Sequence, residues 1–266
     1  MPITSVDSYI ASAKQKVPLT KFAARATIAG AYFSTFDLVG NPSGGALAGT
    51  STTTGIVPTD ATVGYPLIDA FGGTNIGYLS SIQYGNTVPC RMIIADDLWK
   101  GGAYSFNAIP AAQVPASYAS RIPAGTNFGN TEIWFECVTA FTGNFTLQVN
   151  YINQSGVSGR TTGALALGFA PTVGRMIKLP LQTGDTGVQG ITSASGTVST
   201  AGTFNLHVLR PLYTNMRCGV ANDGRIDSWD KTGGVQVYAD SALVLLIAPD
   251  STSTGTPDVL LEIANG

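Results

Sequence analysis

The amino-acid sequence predicts an all-β protein, a β-sandwich or jelly-roll-like fold with a short helical segment near its N-terminus. Three observations lead to this prediction. Short runs of apolar or alternating residues recur along the chain, Gly, Pro and Asn residues separate them, and almost no helical periodicity lies between them. Such spacing is typical of folds built from packed β-sheets. The sequence has no repeat of fixed period, which weighs against a propeller or a solenoid.

The clearest strands are predicted in the middle of the chain. Thr131–Thr139 reads TEIWFECVT, and Phe145–Ile152 reads FTLQVNYI, in which apolar and polar residues alternate. Thr142–Asn144 supplies turn residues between them, so the two segments are predicted to form a hairpin with one face in the core. Further strands are predicted at Ile76–Gln83, Cys90–Ala95, Arg175–Leu181, Phe204–Arg210, Val235–Tyr238, Ala242–Ile247 and Val259–Ile263.

The N-terminal region carries the one convincing helical pattern. Ser5 is a predicted N-cap, and Pro18 is expected to end the helix. The apolar stripe of this helix consists of Val6, Tyr9, Ile10 and Ala13. A second short helical turn is expected over Thr20–Ile28. The segment Ser43–Ala61 is rich in small residues, which predicts an extended or mobile connection.

These features predict two parts of the chain. Residues 1–61 comprise the N-terminal helix and an extended arm or loop, and residues 62–266 comprise the β-sandwich domain, with a sub-boundary considered near 125–130. The helix must dock on something to be ordered, either on its own domain or on a neighbouring subunit. The arm is expected to reach a neighbour.

The composition argues against two classes of partner. The chain has 14 Lys and Arg residues against 16 Asp and Glu residues, with a formal net charge of −2. Because the basic residues are scattered, neither nucleic acid nor an anionic membrane is an expected partner. Charged residues make up only 11% of the chain, so much of the surface is expected to contact other protein. A Thr/Ser-rich β surface that is soluble by itself is the alternative.

The three cysteines, Cys90, Cys137 and Cys218, match neither a disulfide framework nor a metal site. Cys137 lies within an apolar strand and is expected to be a buried free thiol. The N-terminal sequence carries no recognisable secretory signal, and the longest apolar run, Ala242–Pro249, is too short to span a bilayer. Synthesis and folding in a reducing cytoplasm are therefore expected.

No catalytic, cofactor-binding or metal-ligating residue is predicted, and the chain is not expected to be an enzyme. His207 is the only histidine, and alternation within its strand places it on the outward, polar face. The stretch Ser155–Gly159 is interpreted as a hairpin turn, because it lacks the pattern of a nucleophile elbow.

The clustered acidic residues do not form an obvious catalytic pair. Asp96 and Asp97 are predicted to shape a turn. Glu132 and Glu136 share one strand face at a separation of about 13 Å, which exceeds the spacing of a glycosidase pair.

The stretch Asn222–Asp230 superficially resembles a calcium loop. It lacks the alternating ligands and the closing Glu of an EF-hand, so an Asx-type turn is the simpler interpretation. Whether Asp223, Asp227 and Asp230 hold a cation is left open by the sequence.

Carbohydrate binding is an alternative function, since sugar-binding proteins display aromatic side chains on exposed faces. Trp99, Trp134 and Trp229 are the candidates. Such a site would require at least one of them to be exposed.

Several stretches together resemble a known family. They are Ala29–Leu38, Val149–Gly156, Gly159–Thr161, Arg175–Val188 and Leu209–Leu212. In this order they resemble tailed-phage virion proteins, described only as structural, in which Y-x-N-Q-x-G-x-x-G-R, L-P-L-x-x-G-D-T-G-V and R-P-L recur. The resemblance covers most of residues 29–213 and brings no catalytic residues with it.

The resemblance implies a virion protein of the head decoration or minor capsid type. Such a subunit stabilises the head through contacts with copies of itself, expected to be a trimer, and with the major capsid protein. A tail or fibre module that binds a host receptor or glycan is the alternative. Arg160 and Arg210 are interpreted as isolated cations that could pair across an interface.

Overall fold

Three antiparallel sheets form the protein in the computed structural model, which describes residues 5–12, 14–71, 76–106, 113–196 and 201–265. This arrangement confirms the all-β prediction. The elements in chain order are α1 (Val6–Ala11), β1 (Lys14–Lys21), β2 (Phe33–Ser34), β3 (Gly40–Asn41), β4 (Ile76–Asn86), β5 (Cys90–Tyr104), β6 (Glu132–Thr139), β7 (Phe145–Asn153), β8 (Arg160–Thr161), β9 (Leu165–Leu167), β10 (Met176–Leu179), β11 (Val188–Gly196), β12 (Thr203–Cys218), β13 (Asp223–Asp227), α2 (Trp229–Thr232), β14 (Gln236–Tyr238), β15 (Leu243–Pro249) and β16 (Asp258–Asn265). Two 3-10 turns, Ala119–Arg121 and Pro123–Gly125, precede β6.

The first sheet has the strand order β13-β4-β16-β1-β3, with β14 also paired to β4. The third sheet consists of β11, β7 and β8, with β9 paired to β7. The central sheet has the strand order β10-β6-β12-β5-β15-β2. Strands β5 and β12 of this sheet are the longest strands in the described part of the chain, and they pair with each other.

Two hydrophobic cores lie on one face of the central sheet. Met92 and Ile94 of β5 belong to the core shared with the first sheet, whereas Leu98 and Trp99 of the same strand belong to the core shared with the third sheet. Each core is a sheet-on-sheet interface of alternating inward-facing side chains. The β-sandwich prediction is therefore confirmed, with one long sheet packed against two shorter ones.

The opposite face of the central sheet is covered by the chain between about residues 32 and 65. Phe36 and Tyr65 pack there against Trp134 and Leu209. The small-residue segment Ser43–Ala61 is irregular, with several bends and one β-bridge at Ile56, and it is fixed in place by bonds to the sheet. The backbone of Ile56 exchanges two hydrogen bonds with Lys100, and Thr54 O accepts a bond from the Trp99 indole.

The predicted hairpin of β6 and β7 is wrong, although both strands exist. β6 pairs with β10 and β12 in the central sheet, whereas β7 pairs with β11, β8 and β9 in the third sheet. The chain therefore crosses between two sheets at Thr142–Asn144. Alternation correctly predicted the buried face of β7, formed by Phe145, Leu147, Val149 and Tyr151. The alternation of apolar and polar residues does not show which strand pairs with β7.

The N-terminal prediction is partly wrong. Ser5 does cap α1 through a capping box with Ser8, but the helix ends at Ala11. Pro18 lies inside β1, paired opposite Leu260 of β16. β3 pairs only with the last residues of β1, so β1 is edge-like around Pro18, the setting in which sheets tolerate proline.

Three short strands tie the chain between residues 14 and 41 to the sheets. β1 and β3 belong to the first sheet, and β2 pairs with β15 in the central sheet. The second helical turn expected over Thr20–Ile28 is not found, since β1 runs to Lys21 and residues 22–28 contain no helix. The boundaries at residue 61 and near 125–130 stay predictions.

No helix among the described residues is long and apolar enough to cross a membrane.

Candidate functional site

His207 lies between two carboxylates on the covered face of the central sheet. Its Nδ1 is 3.0 Å from Asp97 Oδ2 and its Nε2 is 3.0 Å from Glu136 Oε2. The three side chains come from adjacent strands, β12, β5 and β6, and all are buried. We call this set the His207 cluster. The prediction that His207 faces outward is wrong, because the chain around residues 32–65 covers what would otherwise be the solvent face.

The electrostatics of the His207 cluster favour a charged histidine. Burial by itself would lower the histidine pKa, but Asp97 and Glu136 outweigh burial and raise the pKa to about 9. Burial likewise opposes ionisation of Glu136, yet the His207 cation and its hydrogen bond lower the glutamate pKa to about 2. Both ring nitrogens then donate, one to each carboxylate.

Polar neighbours complete the His207 cluster. Tyr65 Oη donates to Asp97 Oδ2 at 2.6 Å, and Asn205 Nδ2 donates to Glu136 Oε2 at 2.7 Å. Burial and the charge on Asp97 raise the pKa of Tyr65 well above its usual range, so Tyr65 acts as a hydrogen-bond donor. With every member in contact with another and none exposed, the arrangement is suited to holding the covering chain on the sheet.

Asp96 and Asp97 do not shape a turn; both lie within β5 and point to opposite faces. Asp96 forms ion pairs with Arg121 at 3.1 Å and with Arg210 at 3.3 Å, and it accepts a hydrogen bond from Ser241 at 2.8 Å. This buried network sits between Ile94 and Leu98 along the strand, where the two cores meet. A buried, multiply bonded ion group of this kind supports a defined geometry.

The residues that carry the family resemblance converge on Asp185. Its carboxylate accepts hydrogen bonds from Tyr151 Oη at 2.6 Å and Asn153 Nδ2 at 2.8 Å. Arg160 binds both carboxylate oxygens, through Nε at 2.9 Å and Nη2 at 3.1 Å. Gln154 Oε1 accepts from the backbone N–H of Thr186 at 3.0 Å. We call this set the motif junction.

The motif junction is a structural joint between β7, β8 and the loop before β11. The bonds from Arg160, Tyr151 and Asn153 hold the pKa of Asp185 at about 2. At Gly187 a Cβ atom would lie 1.9 Å from the carbonyl oxygen of Phe128, so only glycine fits. Arg160 and Arg210 are thus engaged inside the chain, and the prediction that they are free to pair across an interface is wrong.

The suggested calcium loop does not assemble a cation site. Asp227 accepts hydrogen bonds from Tyr84 and Tyr213, Asp223 pairs with Arg225, and Asp230 accepts from Ser228. Asp223 and Asp227 lie at the two ends of strand β13, and the simple Asx turn expected there is a strand. Among the described residues no three His, Cys, Asp or Glu side chains are grouped as metal ligands.

The cysteines and tryptophans are largely internal. Cys90, Cys137 and Cys218 are buried free thiols, as expected for Cys137. Trp99 and Trp134 are buried, so neither can form a sugar platform. Trp229 is half-buried and packs against Tyr9, with ring centroids 5.1 Å apart.

Sequence reasoning missed the His207 cluster, although one signal pointed to it. Glu136 interrupts the run Ile133–Val138, which is otherwise apolar, and a continuous apolar strand is buried on both faces. A charge within such a strand requires a buried partner. The same argument applies to Asp96 and Asp97 between Ile94 and Leu98. It identifies buried acids but not their partners.

No family model and no curated protein matches this chain. It is similar to solved structures of infectious bursal disease virus. The structure of the Gx strain is 10% identical, with 95% of this chain and 80% of that chain covered and a TM-score of 0.16. The VP2 subviral particle has the same identity and coverage, with a TM-score of 0.20. The T13 viral particle is 11% identical, covering 96% and 78%, with a TM-score of 0.17. At TM-scores this low the likeness establishes neither a shared fold nor a shared role.

Proposed function

We propose that this protein is a structural subunit of a virus particle, of the head decoration or minor capsid type found in tailed phages. In this proposal it acts by assembly and not by catalysis. Its partners are copies of itself, arranged as a trimer, and the major capsid protein. It is located in the virion and synthesised in the host cytoplasm.

The motif junction is the observation that carries this proposal. The stretches that resemble tailed-phage virion proteins supply Tyr151, Asn153, Arg160 and Asp185, and the four side chains bond to one another. Residues that carry the resemblance therefore hold β7, β8 and the loop before β11 together in this chain. A motif that builds a joint, and that leaves no nucleophile or open carboxylate, supports a structural role.

The surface beside the short edge strand β3 supports assembly. Phe22, Val39, Val63 and Leu67 are between 65% and 74% exposed there. The backbone N–H of Phe22 donates to Val39 O, and Val63 and Leu67 line a shallow groove that also contains Pro18. We call these four residues the β3 patch. Exposed apolar side chains grouped in this way are typical of protein contact surfaces.

An oligomerisation experiment tests the β3 patch. Val63→Asp places a charge in the proposed contact and is expected to lower the oligomer fraction in light scattering, and with it binding to particles that lack the subunit. Val220→Asp is the matched control, because Val220 is 64% exposed against 68% for Val63 and lies away from β3. An identical oligomeric state and identical particle binding for both variants would contradict this contact.

A tail or fibre module that binds a host glycan is the second candidate. Trp229, Tyr9 and Tyr78 form a half-exposed aromatic group, with Trp229 and Tyr78 ring centroids 6.5 Å apart. Aromatic rings with one exposed face are the usual contacts for sugar rings. Glycan-array binding by the intact chain that Trp229→Ala abolishes would favour this candidate. Absence of binding to the array by the wild-type protein would argue against it.

A further inference from the structure

Lys100, Asn205 and Glu136 lie together on the covered face of the central sheet. They belong to the adjacent strands β5, β12 and β6 and are 4%, 0% and 1% exposed. Asn205 is paired directly with Glu136, and Lys100 is paired with His207, two residues further along β12. An amine, a carboxamide and a carboxylate are thus buried side by side, away from the motif junction.

The carboxamide of Asn205 is bonded in the manner of an activated acyl group. Its Oδ1 accepts from the backbone N–H of Gly49 at 2.9 Å, and its Nδ2 donates to Glu136 Oε2 at 2.7 Å and to Leu47 O at 2.7 Å. A backbone N–H on the carbonyl oxygen stabilises negative charge that develops there during attack on the carbon. A carboxylate on the nitrogen holds the leaving group in place through its hydrogen bond.

Lys100 supplies an amine on the same face. Diagonal positions on neighbouring antiparallel strands have Cβ atoms about 7–8 Å apart, within reach of a lysine side chain. Lys100 Nζ donates to Ala46 O at 3.3 Å, and the next carbonyl along the chain, Leu47 O, accepts from Asn205 Nδ2. The two nitrogens therefore bind consecutive peptide groups.

The glycine at position 102 brings the carboxamide towards the strand of Lys100. A Cβ atom at Gly102, two residues from Lys100, would lie 2.3 Å from Asn205 Oδ1. The side chain of Asn205 thus lies directly over β5. Within the described part of the chain Lys100 forms no ion pair, and its Nζ lies 4.6 Å from the centre of the Phe36 ring.

We propose that Lys100 and Asn205 become joined by a side-chain amide bond that the folded protein forms by itself. The amine of Lys100 attacks Cγ of Asn205, forming the Nζ–Cγ bond. The Cγ–Nδ2 bond then breaks, and the nitrogen leaves as ammonia. The proton that Nζ loses passes to the leaving nitrogen, which Glu136 holds by a hydrogen bond.

This reaction balances without an added reagent. A lysine amine and a carboxamide become a secondary amide and ammonia, and nothing is oxidised or reduced. Holding both groups in one buried site replaces an encounter in solution with an intramolecular step, which is the main source of acceleration in such reactions. The product would link β5 covalently to β12, the strands that contribute to both cores. The inference goes beyond the proposed function and does not depend on it.

Intact mass spectrometry of the purified full-length chain tests the proposal. The wild-type mass is expected to be lower than the sequence mass by one ammonia, and proteolysis is expected to release one branched peptide that contains Lys100 and Asn205. Lys100→Arg should retain the full sequence mass. Lys21→Arg is the matched control, because Lys21 is also a buried lysine that donates to carbonyl groups, and it should still lose ammonia.

The role of Glu136 is tested by rate. Glu136→Gln removes the charged acceptor of the Asn205 amide hydrogen bond and is expected to slow ammonia loss by about 10-fold or more. Circular dichroism verifies that each variant is folded. A wild-type protein that keeps its full sequence mass after prolonged incubation would overturn the proposal. Ammonia loss that persists in Lys100→Arg would also overturn it, since ring closure at Asn205 itself would then be the cause.

Discussion

At the scale of single residues, buried polar side chains determine how the layers are held together. His207 joins β5 and β6 through Asp97 and Glu136. Asp96 binds Arg121 where the two cores meet. Asp185 binds Arg160 in the motif junction. None of these partnerships can be inferred from sequence, because each joins residues that are far apart in the chain. The residue types were visible in the sequence, whereas the partners were not.

The stability of the protein should depend on pH through the His207 cluster. The histidine pKa is raised in the folded state, so its contribution is complete below pH 6.5 and is lost as pH rises through about 9. The glutamate pKa is lowered, so its contribution is present above pH 4.5 and is lost as pH falls towards about 2. Urea unfolding should therefore show a loss on the order of 3 kcal/mol between about pH 6 and about pH 9.

Replacement of the histidine isolates this effect. His207→Gln leaves two buried carboxylates without a cation and should lower the free energy of unfolding by about 3–5 kcal/mol near pH 6. The free energy of unfolding of this variant should not decline between about pH 6 and about pH 9. Arg217→Gln, an exposed position on the same strand, should retain the wild-type profile. A wild-type stability that does not change between these pH values would contradict the charged histidine.

The motif junction should contribute measurably to stability. Asp185→Asn removes the charge that Arg160, Tyr151 and Asn153 share, and should lower the free energy of unfolding by about 2 kcal/mol. Asp250→Asn, an exposed carboxylate 4.0 Å from Arg217, serves as control and should change it by less than about 0.5 kcal/mol. Equal unfolding curves for the two variants would show that the junction does not hold β7 and β8 in place.

At the scale of elements, the sequence predicts the positions of strands well and their pairing partners in the sheets poorly. Alternation and apolar runs correctly located β4, β5, β7, β12, β15 and β16, because the period of two is a local property. Pairing is not local, so β6 and β7 were wrongly joined. β1 was mistaken for the end of a helix because Pro18 is unusual in a strand. The strand β11 was missed because its sequence, VQGITSASG, contains few large apolar residues.

Truncation distinguishes β1 from an arm. Removing the chain through Ser12 deletes α1, including the ring contact between Tyr9 and Trp229, and should lower the free energy of unfolding by about 1 kcal/mol. Removing the chain through Lys21 also deletes Val17 and Leu19, which are 1% and 2% exposed, and uncovers the edge of β16.

The longer truncation should therefore fail to fold. Burial of two such side chains contributes roughly 3–6 kcal/mol, against a total stability of about 5–15 kcal/mol for a typical domain. Near-ultraviolet circular dichroism and solubility measure the outcome. A soluble, cooperatively folded protein that begins at Phe22 would show that β1 is dispensable.

At the scale of the whole molecule, the composition and surface of the chain support the proposed role in assembly. A low share of charge, the β3 patch and the internal use of its ionic groups leave a surface suited to contacts with other protein. Repeated around a symmetric shell, modest contacts of this kind sum to a large stabilisation. In the proposed function, the three-sheet fold is the body of the subunit that the particle would carry.

The most direct test of this account is a cryo-electron microscopy map of the intact particle, produced with and without this chain. We expect density for the three-sheet fold at symmetry-related positions on the head shell, in contact with the major capsid protein, and we expect that density to be lost when the chain is absent. Density confined to the tail or fibres would contradict the head assignment. Particles that are identical with and without the chain would contradict its role as a structural subunit.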